Sequence, residues 1–191
     1  MAIVVIPFRS GGKTRLPAET RVELSLAMLG DVLEVATATA DRVRLVTGDD
    51  GAGPIATELG VEIVVDPGGG QGAAILAALA GIEGPCLIVN ADLPCATPEA
   101  LALLVARAPA LVPGPDGTTN ALSLPDPTWF APLYGPGSAA RFVGTGLALI
   151  SIPELEQDVD TLADLLELTS PVGRRTTLVL NQHNLDLART S

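Results

Sequence analysis

The sequence is poor in the residue types on which several protein classes depend. It contains one lysine, one histidine and two cysteines, and aromatic residues make up 3% of the chain. Cys86 and Cys95 are too few for a disulfide framework and lack the spacing of a structural zinc site. We therefore expect reduced thiols, a cytoplasmic protein, and a fold that no cross-link or zinc ion holds together.

Charge and hydropathy exclude further classes. With 11 basic and 22 acidic residues the formal net charge is -11, so a surface for nucleic acid or anionic membrane would work against the field of the whole molecule. No apolar run approaches the roughly 18 residues of a membrane span. The N-terminal apolar run is short and precedes its positive charge, unlike a signal peptide. We expect a soluble protein that binds neither nucleic acid nor membrane; its oligomeric state is open.

The few basic residues are distributed unevenly. Lys13, the single lysine, lies with Arg9 and Arg15 in the loop after the first apolar run. Such a loop on an acidic protein favours contact with a small polyanion, with a charged turn of chance composition as the alternative. We predict that these three residues bind nucleotide, and that Lys13 and Arg15 place their charges near the outer phosphates.

Apolar periodicity alternates between strand and helix along a chain of one-domain length. Strands are predicted over residues 2–7, 43–47, 61–65, 85–90, 110–112, 120–124 and 147–152. Helices are predicted over 18–40, 54–59, 73–79, 97–107, 137–143, 159–168 and 176–181. This order predicts a single α/β domain, 1–191, with a mostly parallel sheet between helical layers. Ligands of such folds lie at the carboxyl ends of the strands.

Several polar features come together at that edge of the predicted sheet. They are the basic loop, Asp49 and Asp50, the glycine turn at 68–72, and Asp92. The turn lets the backbone approach a base or phosphate closely, so Gly70, Gln71 and Gly72 are candidate nucleotide contacts.

The sequence lacks the residue spacing of two common nucleotide-binding motifs. The GGKT segment lacks the earlier glycine of a Walker A loop, and no G-x-G-x-x-G follows the first strand. The lone His183 lies in the tail, where we expect a surface position, and no Ser-His-Asp arrangement is evident.

Three carboxylates are candidates for a metal site. Asp92 directly follows an apolar strand, and Asp158 and Asp160 share one face if their segment is extended. Each also has a structural alternative, as a turn residue or a helix cap. Together they suit a hard cation such as Mg²⁺, which screens nucleotide phosphates. Asp92 is also a catalytic candidate, together with Lys13 and Arg15.

A second polar region lies in the latter half of the chain. Gly-Pro-Gly-Ser at a helix start exposes backbone N–H groups and a hydroxyl, an arrangement that suits an anion, although an ordinary N-cap is the alternative. Thr119, Gly135, Ser138 and Arg141 would supply hydroxyl, amide and cationic donors there.

The order of motifs resembles one enzyme family. IPF, GGKTRL, NADLP, TTNALSL, YGPGSAARF and DVDTLADL follow one another as in the phosphoenolpyruvate or 2-phospho-L-lactate guanylyltransferases of deazaflavin coenzyme (factor-420) biosynthesis. The resemblance covers most of the chain. It implies a three-layer, Rossmann-like nucleotidyltransferase fold with a mixed sheet, like that of molybdenum-cofactor guanylyltransferase.

The resemblance also implies a reaction and its residues. GMP would pass from GTP to the phosphate of phosphoenolpyruvate, with release of pyrophosphate and dependence on Mg²⁺. Asp92, Asp158 and Asp160 match the family's metal-binding acids, and Thr119, Gly135 and Ser138 match its acid-substrate site. The basis of guanine selectivity and the number of metal ions stay open.

Three other interpretations remain at this point. 2-Phospho-L-lactate offers the same phosphate and carboxylate as phosphoenolpyruvate. A molybdenum-cofactor or sugar-phosphate nucleotidyltransferase shares the fold, since fold does not fix function. A non-catalytic nucleotide-binding assembly module is the third interpretation, but it would not need three separated carboxylates.

Overall fold

The computed structural model describes residues 2–10, 16 and 20–183. Short apolar, β-branched runs form the strands, which are β1 (Ile3–Phe8), β2 (Arg42–Thr47), β3 (Glu62–Val65), β4 (Cys86–Val89), β5 (Ala110–Pro113), β6 (Thr119–Leu124) and β7 (Ala148–Leu149). The helices are α1 (Arg21–Thr39), α2 (Gly53–Glu58), α3 (Gln71–Leu79), α4 (Pro98–Val105), α5 (Ser138–Val143), α6 (Pro153–Glu156), α7 (Leu162–Glu167) and α8 (Arg174–Gln182).

The strands form a seven-stranded sheet in the order β3-β2-β1-β4-β6-β5-β7. β1 pairs in parallel with β2 and β4, β2 with β3, and β5 with β7, whereas β6 runs antiparallel to β4 and β5. The predicted mostly parallel mixed sheet is confirmed. Because β6 runs the other way, it begins at the edge where β1 to β4 end.

Alternating side chains along the strands divide the core into two parts. Val4 and Ile6 of β1 pack in a cluster with α1, α2, α4 and α6. Val5, between them, packs in a second cluster with α3 and α5. Successive side chains of a strand point to opposite faces, so the sheet is covered on both sides. This arrangement confirms the predicted three layers.

Two elements near the site differ from the prediction. The strand predicted over 147–152 spans only Ala148–Leu149, and the helix predicted over 159–168 begins at Leu162. A capping box explains the second difference: Asp164 N donates to Thr161 Oγ1 (3.1 Å), and Thr161 N donates to Asp164 Oδ2 (2.7 Å). Asp160 therefore lies before the helix rather than within it, as Asp158 does.

The last described helix is fixed to α1 through a buried carboxylate. Asp31 accepts the N–H groups of Arg175 and Thr176, each at 2.8 Å, and so caps α8. A Cβ at Gly173 would lie 2.3 Å from Asp31 Cγ, so this close approach requires glycine. Val159 packs in the cluster that joins α1, α7 and α8. The α8 contact thereby supports the segment that carries Asp158.

The structure also bears on the expectations for the cysteines, the lone histidine and membrane-spanning helices. Cys86 and Cys95 are buried and unpaired, and burial together with Asp126 raises the pKa of Cys86 to about 12. The ring of His183 lies near the surface and is 2.8 Å from a Glu23 oxygen. In the described ranges, no helix has the length and apolar character to cross a membrane.

Candidate active site

A cavity of about 330 Å³ opens where the central strands end. Strand ends, the start of α3 and one position of α1 form its wall, as expected for ligand sites in open α/β sheets. Its lining residues are Pro7, Phe8, Arg9, Ser25, Val46, Asp66, Gln71, Ala74, Asn90, Ala91 and Asp92. The cavity includes three of the predicted site residues, Arg9, Gln71 and Asp92.

An ion pair lies on one side of the cavity. Arg9 contacts Asp66 Oδ2 through its Nη2 (2.7 Å) and Nε (2.8 Å). Burial disfavours ionisation of Asp66, but the Gly68 amide and the Arg9 guanidinium outweigh burial and lower its pKa. Arg9 is thus positioned at the predicted nucleotide pocket by a carboxylate that follows β3.

The structure describes only part of the basic loop. Lys13 and Arg15 lie outside the described residues, so their predicted phosphate contacts stay predictions. Ser10, before them, donates from both its amide (3.2 Å) and its hydroxyl to Asp49 Oδ2. These bonds, the hydroxyl first, lower the pKa of Asp49 against a smaller effect of burial. Asp49 therefore anchors the start of the loop to the end of β2.

The residues of the glycine turn have different roles, since one lines the cavity and another is needed for packing. Gln71 Nε2 donates to Asn90 Oδ1 (2.8 Å), and both side chains line the cavity. The Gly70 carbonyl accepts the Ala74 amide and starts α3. A Cβ at Gly72 would lie 2.6 Å from Pro132 Cβ, so glycine is needed there for packing. Of the three predicted nucleotide contacts, Gln71 is the one that lines the cavity.

The structure brings Asp92 and Asp158 together. Val159 N donates to the Asp92 carbonyl (3.0 Å), which holds the two segments side by side. Burial first, and then the charge of Asp92, raise the pKa of Asp158 to about 6; the charge of Asp160 adds the smallest contribution. Repulsion between two partly buried carboxylates disfavours their joint ionisation, and a cation between them would relieve it.

This acid pair suits a magnesium site that substrate completes. Among the described residues, no three His, Cys, Asp or Glu side chains are arranged as a set of metal ligands. Mg²⁺ needs no such set, because proteins often hold it through one or two carboxylates together with substrate phosphates. The oxygen donors of Asp92 and Asp158 fit that pattern, and Asp160 stays a predicted ligand.

Two hydroxyls predicted to bind the acid substrate meet directly. Thr119 Oγ1 and Ser138 Oγ are 2.9 Å apart, and both side chains are buried. Thr119 opens β6 at the ligand edge, and Asn90 Nδ2 donates to its carbonyl (3.1 Å). A hydrogen-bonded path thus connects the cavity, through Asn90, with the predicted acid site.

Hydrogen bonds to backbone carbonyls hold the loop before α5 in shape. The amide of Ser138 donates to the Gly135 carbonyl (3.0 Å) and that of Ala139 to the Gly117 carbonyl (3.2 Å), so these two N–H groups serve the loop. Gly135 has φ +114, which favours glycine. Arg141 donates to the carbonyls of Leu133 and Pro136, each at 2.7 Å. Arg141 therefore braces the loop, and its direct contact with substrate stays a prediction.

Sequence reasoning missed several polar residues at the site. Asp66 follows β3 just as Asp92 follows β4, and Asn90 belongs to the quoted NADLP motif, so both carried a detectable signal. Asn120 lies beside Thr119 in the quoted TTN motif, but nothing in the sequence shows that its side chain reaches Asp158. Ser25, on α1, gave no signal.

Sequence comparisons give consistent matches. The model of the MobA-like NTP transferase domain matches residues 13–143. A protein named phosphoenolpyruvate guanylyltransferase from Roseiflexus castenholzii is 35% identical over 168 residues, covering 83% of this chain and 80% of the relative. A protein of the same name from Nocardia farcinica is 36% identical over 169 residues, covering 79% and 75%.

Structural comparisons agree on the architecture. A protein from Desulfovibrio desulfuricans G20, described as a nucleotide-diphospho-sugar transferase, aligns with a TM-score of 0.72 at 16% identity, covering 96% of this chain and 95% of that one. A CMP:2-keto-3-deoxy-manno-octonic acid synthetase complexed with CTP aligns with a TM-score of 0.60 at 14% identity, covering 95% and 99%. At such identities these likenesses establish the fold alone.

Proposed function

The chain belongs to the MobA-like NTP transferase family and is a nucleotidyltransferase of the phosphoenolpyruvate guanylyltransferase group, and we propose that it transfers GMP from GTP to phosphoenolpyruvate. Pyrophosphate is the second product. The GMP-linked acid serves the biosynthesis of a deazaflavin coenzyme.

One observation carries the proposal on the structural side. The Asp92–Asp158 pair lies where the cavity at the ends of β1 to β4 meets the start of β6. Asp92 lines the cavity together with Gln71, and Asp158 contacts Asn120, the residue after Thr119 of the buried Thr119–Ser138 pair. A reaction between two phosphate groups needs neutralising charge where they meet, and in this proposal the acid pair holds it there.

The nucleotide occupies the cavity in this proposal. Gln71 and the Gly70 backbone face its base or sugar, and Arg9 lies beside them. Lys13 and Arg15 neutralise the outer phosphates, which places the α-phosphate toward Asp92. The guanidinium and ammonium charges favour a polyanion against the acidic background of the chain.

The chemistry follows from the substrates. A phosphate oxygen of phosphoenolpyruvate attacks the α-phosphorus of GTP, and the bond from that phosphorus to the β-phosphate oxygen breaks. Since the attacking monoester is already anionic, no general base is required, and catalysis rests on positioning and charge neutralisation. Bound Mg²⁺ supplies charge neutralisation for the phosphates, and Asp92, Asp158 and Asp160 are the residues that hold it.

The acid substrate binds at the Thr119–Ser138 pair. The Thr119 and Ser138 hydroxyls donate to its phosphate or carboxylate once their mutual bond opens, and the Gly135 turn lets the backbone approach. Arg141 keeps that loop in shape through its bonds to Leu133 and Pro136. Hydroxyl donors to an anion make bonds about twice as strong as neutral ones.

The experiment is a product assay by mass spectrometry. The purified protein is incubated with Mg²⁺, each of the four nucleoside triphosphates in turn, and either phosphoenolpyruvate or 2-phospho-L-lactate, and pyrophosphate release is followed in parallel. We expect the GMP adduct of phosphoenolpyruvate, and its loss in Asp92→Asn but not in Asp41→Asn, an exposed carboxylate in the loop after α1. An adduct of 2-phospho-L-lactate alone, or of another nucleotide, would overturn the substrate assignment.

A further inference from the structure

The side chain of Asn120 is enclosed at the junction of the two predicted substrate sites. Its residue is 1% exposed. An asparagine amide nitrogen carries two hydrogens, and here Nδ2 contacts two acceptors, the Leu155 carbonyl (3.1 Å) and Asp158 Oδ1 (3.2 Å). A backbone carbonyl can only accept, so the contact with Leu155 fixes the orientation of the amide.

The side-chain oxygen of Asn120, unlike its nitrogen, makes no hydrogen bond in the described part of the chain. This oxygen, Oδ1, is buried. A Cβ at Gly114 would lie 2.9 Å from this oxygen, so the backbone approaches it closely from that side. Leaving a buried acceptor unsatisfied destabilises a fold. An amide that satisfies only its donor therefore indicates that the donor is what the site requires.

The bonds of Asn120 fix the position of one carboxylate relative to the other. Leu155 lies in the last turn of α6, and Asp158 follows three residues later. One nitrogen thus holds both the helix end and the carboxylate that succeeds it. The backbone of Asn120 is itself bound to the Asp92 strand, because Asn90 N donates to the Asn120 carbonyl (2.9 Å).

We propose that Asn120 is a positioning residue, which orients the Asp158 carboxylate toward Asp92 so that the pair can share a divalent cation. The inference rests on the proposed function for the identity of that cation. Asn120 touches neither substrate nor metal; it acts through Asp158. Its neutrality matters as much as its donor, since a third carboxylate here would add repulsion to the pair.

The test measures cation binding directly and needs no turnover. Mn²⁺ replaces Mg²⁺ as a paramagnetic probe, and binding is reported by the loss of the free-ion EPR signal beyond the loss that α,β-methylene-GTP causes without protein. Asn120→Ala removes the donor. Asn120→Asp keeps the shape, removes the donor and adds charge, so it tests the proposal even if the truncated variant does not fold. Ser123→Ala removes another buried polar group of the same strand and is the matched control.

We expect Asn120→Ala to weaken Mn²⁺ binding about tenfold, Asn120→Asp to weaken it further, and Ser123→Ala to leave it unchanged. In turnover assays the Ala variant should need a higher Mg²⁺ concentration for half-maximal rate, with a KM for phosphoenolpyruvate within about twofold of the original protein. Circular dichroism and thermal melting establish that each variant is folded.

The outcomes separate this inference from the function on which it rests. Folded Asn120 variants that bind Mn²⁺ like the original protein would overturn the positioning role, whatever their activity. If the original protein transfers no nucleotide to a phospho-acid, the proposed function fails, yet weaker Mn²⁺ binding by the Asn120 variants would still support the inference. If Asp158→Asn leaves Mn²⁺ binding intact, the inference fails with the metal assignment.

Discussion

Replacing Asp158 with asparagine should abolish turnover and at the same time stabilise the ligand-free protein near neutral pH. The folded protein raises the pKa of this carboxyl from 3.8 to about 6, through burial and the neighbouring Asp92. A carboxyl whose folded pKa is raised contributes its full stability below about pH 3.8 and loses it as pH rises through about 6. At pH 7.5 the charged form therefore opposes folding, and a neutral amide of the same shape removes that opposition.

The size of the effect follows from the two pKa values. At about 1.4 kcal/mol per pH unit, ionisation of Asp158 costs the fold at most about 3 kcal/mol. The side chain is partly exposed, so solvent screening reduces this to about 1 to 2 kcal/mol. For a protein of this length, each kcal/mol moves the melting temperature by about 2 to 4 °C. At pH 7.5 we expect the melting temperature of Asp158→Asn to be about 2 to 8 °C above that of the original protein. Near pH 4 we expect the two melting temperatures to be close.

The assay is thermal melting from pH 4 to 8, without ligand and then with Mg²⁺ and α,β-methylene-GTP. The ligands should stabilise the original protein more than Asp158→Asn, because only the original protein has a charge to neutralise there. Asp41→Asn is the control, for which we expect no pH-dependent difference. A variant that melts lower at pH 7.5, or whose difference does not depend on pH, would refute the reasoning.

Three further predictions address the loop, the acid site and the fold. Lys13→Ala should raise the KM for GTP much more than that for phosphoenolpyruvate in steady-state kinetics; equal effects would contradict a triphosphate contact. Thr119→Val keeps the shape but loses the hydroxyl paired with Ser138, and should raise the KM for phosphoenolpyruvate about ten- to hundred-fold with little change for GTP. Gly173→Ala should cost about 2 kcal/mol in urea unfolding, since its Cβ would meet Asp31 at 2.3 Å. Gly53→Ala, with nothing within 4 Å, is its control and should be neutral.

The fold could be predicted from the local apolar pattern because the pattern of each element agrees with its place in the fold. The run from Ile3 to Phe8 is apolar on both faces, as a strand covered by two helical layers must be. The pattern failed at the start of 159–168, where apolar periodicity extends further back but a capping box at Thr161 makes the helix begin at Leu162. A side chain that binds backbone N–H groups overrides periodicity, so Asp160 lies before the helix.

The site was only partly predictable for a different reason. Residues that directly follow a strand, such as Asp92, can be placed at the ligand edge from sequence alone. Contacts such as that of Asn120 with Asp158 depend on the register of β6 and on the course of a loop 38 positions later. Neither spacing nor composition carries that information, so the carboxylates could be listed but not the group that orients them.

Two costs to stability coincide at one point of this molecule. Asp158 carries a carboxyl that the fold disfavours in its charged form, and the neighbouring Asn120 leaves a buried oxygen unsatisfied. By contrast, the Asp31 carboxylate that caps α8 accepts two backbone N–H groups. Natural sequences depart from local optimality mainly where function demands it. A ligand that neutralises Asp92 and Asp158 would recover part of that cost on binding, so the stability that the fold loses at this point contributes to binding of the cation and its nucleotide.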